Sequence, residues 1–238
     1  MKVLIVGTPP FTHELSKLCH PLSPTQISTS EILALDLISE NYDVILEVEN
    51  TDRELKQEVL NKLPEDSMIL TNPLICSATE AASWVNFPER VIGFGVVPPI
   101  PTNGVIELAR ALQTNDETLA RARDLWSKLS QKLIMVADGP GLVRARTVCC
   151  LINEAVSAVS EGIASPTDID LAMKLGTNYP HGPLAWGDHI GLDTVLGTMN
   201  GLFAEWGDDR YRPSPLLRRM VLAGKLGKKS GEGFYRYD

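Results

Sequence analysis

"YDVILEVENTDRELKQEVLNKLPEDSMILTNPL", residues 42–74, decides the fold. A short run of Val, Ile and Leu is followed by a charged segment with apolar residues at helical spacing, and then by a second short apolar run. Apolar residues at consecutive positions, in runs too short for a helix, read as strands covered on both faces. The same alternation extends outward to "KVLIVG" at 2–7, "RVIGFGVV" at 90–97 and "KLIMVAD" at 132–138, the last preceded by the helical pattern "NDETLARARDLWSKLSQ" at 115–131. Strands alternating with helices predict a mostly parallel α/β sheet. "TNGVIELAR" at 102–110 reads as a further strand near an edge.

The pattern stops at "DGPG", residues 138–141, and the remainder of the chain reads as helical. "GLVRARTVCCLINEAVSAVSEGIAS" repeats apolar residues every three or four positions and predicts a principal helix of the core or an interface. In "SPTDIDLAMKLG", Ser165 is the expected N-cap, Pro166 the first helical residue and Gly176 the stop. "GLDTVLGTMNGLFAEWG" and "SPLLRRMVLAG" add two more helices. The expected architecture is a reduced Rossmann-like domain at 1–138 and an all-helical domain at 139–238.

The 30 acidic and 22 basic residues leave a net charge of −8, which argues against nucleic acid or an anionic membrane as partner. Four cysteines without a CxxC pair, and four histidines not spaced with them, indicate neither a zinc site nor a disulfide framework. No apolar run reaches the roughly 18 residues of a membrane span, and "MKVLIVGT" lacks the form of a signal peptide. A cytoplasmic location with reduced thiols is the expectation.

A dinucleotide site needs a glycine-rich turn after the first strand, so that backbone N–H groups can approach a pyrophosphate. "VGTPPFT" at 6–12 supplies Gly7, but places Pro9 and Thr12 where a GxGxxG pattern has its other glycines. Pro9 and Pro10 carry no amide hydrogen. Residues 8–41 leave room for one short helix and a single strand before residue 42, where a complete nucleotide half needs two crossovers. Glu31 and Asp36 fall in a segment read as helical, so no acid ends a second strand.

From residue 42 onward the chain resembles the L-3-hydroxyacyl-CoA dehydrogenase family. The resemblance rests on "YDVILEVENTDRELKQEVLNKL", "SMILTNPL", "PERVIGFGVVPPIPTNGVIELAR", "DGPGLVRARTVCCLINEA", "GIASPTDIDLAMKLGTNYPHGPLAWGDHIGLDTV" and "LGKKSGEGFYRYD". It implies NAD as cofactor, 3-hydroxyacyl-CoA as substrate, and a helical domain that dimerises. It also implies a His that takes the hydroxyl proton, a Glu that orients it, and Ser and Asn side chains that hold the substrate oxygen.

Carried onto this chain, the His position falls on Gly95 in "GFGVVPP" and the Glu on Glu107 in "VIELAR". The Ser falls at Leu74 and the Asn on Ala145. Gly7 and Glu47 are the cofactor-side positions. Only Glu107 keeps a hydrogen-bonding side chain among the four catalytic positions, and loss of a general base costs a factor of about 10² to 10⁴ in rate. The expectation is a 3-hydroxyacyl-CoA dehydrogenase-like protein, weak or non-catalytic, that forms a homodimer or pairs with a paralogue through its helical domain. One alternative is an active NAD-dependent dehydrogenase of fatty-acid metabolism with His181 or water as base; another is an acyl-CoA binding module. Glu107 is alternatively a structural partner of Arg110 or Arg146, and the lysines of "GKLGKKSGEGF" read as a solvated turn.

Overall fold

A computed structural model of the protein describes residues 1–35, 38 and 40–237. The sheet half begins with β1 (Val3–Gly7), α1 (Phe11–Leu18), β2 (Thr25–Ser28), α2 (Thr29–Ala34), β3 (Val44–Val48) and α3 (Arg53–Asn61). It continues with β4 (Met68–Thr71), α4 (Ala78–Ala82), β5 (Val91–Gly95), β6 (Val105–Arg110), α5 (Asp116–Lys128) and β7 (Lys132–Met135). The strands form one sheet in the order β2-β1-β3-β4-β5-β6-β7, parallel throughout except between β5 and β6. Every residue of β1, β3, β4 and β5 is buried, as consecutive apolar positions require of strands covered on both faces. Phe94 of β5 packs on Trp126 of α5 with ring centroids 5.6 Å apart, a pair worth about 0.5–1.5 kcal/mol beyond its buried area.

The chain leaves β1 to one side for β2 and crosses to the other side for β3, so the topological switch lies over the end of β1. Among the described residues, β2 is the only strand beyond β1 on that side. β2 is a half-exposed edge whose single apolar residue is Ile27, so alternation could not reveal it. Ser28 ends it and caps α2 by accepting from the Glu31 N–H, while Glu31 reaches back to the Ser28 N–H. Glu31 is therefore in a helix, as expected; Asp36 lies outside the described residues. β6 sits one strand in from the edge, and β7 is the edge itself.

The second half consists of α6 (Arg144–Ser160), α7 (Pro166–Thr177), α8 (Pro183–Ile190), α9 (Leu192–Trp206) and α10 (Pro215–Leu222). Ser165 caps α7 by accepting from the Asp168 N–H, but the stop is Asn178, at φ 55°, and not Gly176. Asn tolerates this left-handed conformation better than most residues, so it can end a helix as glycine does. α9 lies directly on the loops after β3 and β4, so closely that a Cβ on Gly201 would collide with the Ile75 carbonyl. On α8, the Trp186 indole donates to the Pro98 carbonyl at 3.1 Å. No helix among the described residues is long and apolar enough to cross a membrane.

Candidate functional site

The junction of the two halves gathers the positions singled out in the sequence. Gly95 ends β5 and pairs directly with Glu107 on the antiparallel β6. A Cβ on Gly95 would stand 2.8 Å from Glu107 Oε2, 3.0 Å from Glu107 Cβ and 3.1 Å from Leu142 Cδ1. Such distances leave no space for a larger side chain unless its neighbours move. Glu107 is buried, and its carboxylate accepts from the Val143 and Arg144 N–H groups, each at 3.0 Å. These amides open α6, so Glu107 satisfies donors that the helix cannot satisfy itself.

Neither of the basic residues anticipated beside Glu107 pairs with it. Arg110 goes to Asp116 and the Thr114 carbonyl, and Arg146 bonds the Tyr211 hydroxyl and lies over the Trp206 ring. The helix start competes for the carboxylate with two fixed, correctly aimed donors, which a flexible guanidinium does not displace. Leu74 and Ala145 are buried, and the Gly141 N–H donates to Pro73 at 2.7 Å, closing the loop ahead of α6 over the end of β4. Glu107 is thus the one ionisable side chain among Leu74, Gly95, Glu107 and Ala145, and both its oxygens are in use.

Glu47 is fully buried and touches no open surface. It receives Lys56 Nζ and the Thr71 hydroxyl, each at 2.6 Å, and the Glu49 N–H at 2.7 Å. Lys56, also fully buried, donates further to the carbonyls of Glu49 and Asn72. Burial pushes the Glu47 carboxyl above its ordinary value, opposed by the Lys56 charge and the hydrogen bonds. Gly7, at φ 144°, is held by sheet packing: a Cβ there would stand 2.6 Å from the Val48 carbonyl carbon.

The turn after β1 does not fit a pyrophosphate. Its Pro9 and Pro10 have no amide hydrogen, no side chain caps α1, and Phe11 and Thr12 are buried in its first turn. Glu31, engaged with Ser28, is not free to hold a ribose.

His181 lies in the loop between α7 and α8. It stands edge-on to Trp186 and lines a cavity of about 500 Å³ with Leu171, Lys174 and Tyr235. His189 was not anticipated: its Nε2 lies 3.2 Å from Glu14 Oε1, and Glu14 Oε2 accepts from the Ile100 N–H at 2.5 Å. Burial raises the Glu14 carboxyl, but the bonds to His189 and Ile100 outweigh it and hold the group below its ordinary value. Nothing in the spacing could link residues so far apart. In the lysine-rich turn, Lys225 pairs with Glu232 and Lys229 with Asp193. Among the described residues, no three His, Cys, Asp or Glu side chains cluster to hold a metal.

Residues 12–139 match the NAD binding domain of 3-hydroxyacyl-CoA dehydrogenase, and residues 141–237 match its C-terminal domain. The chain belongs to the 3-hydroxyacyl-CoA dehydrogenase family. A probable 3-hydroxybutyryl-CoA dehydrogenase of Bacillus subtilis is 42% identical over 204 residues, covering 84% of this chain and 71% of that protein. The 3-hydroxybutyryl-CoA dehydrogenase of Clostridioides difficile is 39% identical, covering 88% of this chain and 78% of that one. The crystal structure of (S)-3-hydroxybutyryl-CoA dehydrogenase from Ralstonia eutropha superposes with a TM-score of 0.77 at 33% identity, over 100% of this chain and 99% of that one. The NAD binding domain match begins at residue 12, beyond the turn that carries Pro9 and Pro10.

Proposed function

We propose that this chain is a 3-hydroxyacyl-CoA dehydrogenase-like protein whose catalysis is weak or lost, and whose retained work is association through its helical domain with a second copy or a related active chain. One observation carries this reading. At the place where the family resemblance calls for a proton acceptor stands Gly95, where even a Cβ would press on Glu107 and Leu142, and Glu107 is committed to the start of α6. Alcohol oxidation needs a group within hydrogen-bond reach of the hydroxyl proton, and no such group stands at position 95. Association is supported by α7, whose only buried residue is Asp170, and by the exposure of Ile163, Leu171 and Leu175 at 71%, 53% and 78%.

A second reading, an active NAD-dependent 3-hydroxyacyl-CoA dehydrogenase, is favoured by the match to both family domains and by relatives named 3-hydroxybutyryl-CoA dehydrogenase. It requires a proton acceptor elsewhere, His181 or water. NADH oxidation by purified protein with acetoacetyl-CoA separates the two readings. Turnover at an ordinary enzymatic rate, lost in His181→Ala, would establish the second; absence of turnover from a protein that runs as a dimer by light scattering would support the first.

A further inference from the structure

We infer that the crevice over β1, where an open parallel sheet of this topology takes a dinucleotide, is spanned by the chain's own side chains and serves as the joint that fixes the helical domain. This goes beyond weak catalysis, since a chain can bind a nucleotide without turning anything over.

The register pairs Gly7 of β1 with Ser28 of β2 on one side and with Val48 of β3 on the other. The next residues, Thr29 and Glu49, therefore flank the chain just as it leaves β1. The Thr29 hydroxyl donates to Glu49 Oε2 at 2.5 Å, a bond that crosses over the end of β1. Glu49 Oε1 receives the Thr51 N–H at 2.9 Å and the Thr51 hydroxyl. Glu49 is fully buried and Thr29 nearly so. A carboxylate with both oxygens committed thus lies across the line that a pyrophosphate would follow.

The α1 side of the crevice is closed in the same manner. A helix start attracts anions through its free amides and its dipole. Here Glu14, in the first turn of α1, is itself the anion, and it uses both oxygens to hold Ile100 and His189. Ile100 belongs to the proline-rich loop after β5, and His189 to α8 of the helical half. The Trp186 bond to Pro98 ties the same loop to the same helix. Two carboxylates, Glu14 and Glu49, therefore stand where a dinucleotide would bring two phosphate charges, and charges of one sign repel most strongly where water is excluded. Displacing Glu14 would also strip the hydrogen bonds that tie α8 and the loop after β5 to α1.

The test uses the full chain. NADH is titrated by its own fluorescence, and amide hydrogen exchange is followed at Ile100 in wild type, Glu14→Ala and the more conservative Glu14→Gln. The expected results are no saturable NADH binding up to about 1 mM, and exchange at Ile100 that is about tenfold faster in Glu14→Ala, with a smaller change in Glu14→Gln. Saturable binding of NADH at micromolar concentration overturns the inference, as does unchanged Ile100 exchange in Glu14→Ala. NADH binding without acetoacetyl-CoA turnover would sink this inference alone; turnover would sink the proposed function as well.

Discussion

The crevice side of the sheet and the outward face of α7 treat their side chains in opposite ways. Over the sheet, four carboxylates are turned to partners in the same chain: Glu47 to Lys56, Glu49 to Thr29, Glu107 to the start of α6, and Glu14 to Ile100. On α7, Leu171 and Leu175 remain uncovered. A small-molecule site keeps polar groups free to meet a ligand, whereas an association surface keeps apolar area free to meet a partner. The difference teaches that the groups nearest the expected chemistry are engaged within the chain, while apolar surface stays uncovered on the helical half.

The sharpest way to break this contrast is to remove one member of the buried pair. Lys56→Met leaves Glu47 buried without its counter-charge and should lower the unfolding free energy by about 3–5 kcal/mol in urea denaturation. The double variant Lys56→Met, Glu47→Leu should recover most of that loss, because no uncompensated charge then remains. A single variant within about 0.5 kcal/mol of wild type would mean that Glu47 is not held as described.

A smaller effect is expected at Glu107. Glu107→Ala frees two N–H groups at the start of α6 and should cost about 1–2 kcal/mol by thermal or chemical unfolding. Gly95→His should cost about 1–3 kcal/mol through overpacking against Glu107 and Leu142, without conferring NADH oxidation. If the histidine variant were instead as stable as wild type and gained activity, the pocket would be open and merely missing its base.

The smallest effect concerns pH. Glu14 has a folded value below its ordinary 4.5, so its stabilising contribution is fully present above that value and is lost as pH falls through the lower folded one. Glu14→Gln should flatten the acid limb of stability against pH by about 1 kcal/mol or less. An unchanged acid limb would show that the bonds to Ile100 and His189 contribute nothing to folding.

Much of the fold could be read from periodicity, because the strands of a two-face-covered sheet are nearly pure apolar runs. β1, β3, β4, β5, α5, α6 and α9 all announce themselves in this way. β2 does not: at a half-exposed edge, Thr25, Gln26 and Ser28 need not be apolar. α8 was hidden as well, since Gly182, Pro183 and Gly187 mask its helical spacing.

The site was legible only in part. The family resemblance pointed to Leu74, Gly95, Glu107 and Ala145, and the structure buries all four at the junction of the two halves. It could not reveal that Glu107 caps α6, because a cap made from a distant strand leaves no trace in local spacing. The Glu49 bond to Thr29 and the Glu14 contact with His189 were invisible for the same reason. Each depends on which strand lies beside which, and on how α8 is seated.

The most direct measurement is the rate at which purified protein oxidises NADH in the presence of acetoacetyl-CoA at neutral pH. The expected rate is below about 0.1 per second, a median enzyme rate of about 10 per second reduced by at least the hundredfold cost of a missing base. A rate above that limit, proportional to protein and dependent on the thioester, would contradict the assignment of Gly95 and Glu107 to structure.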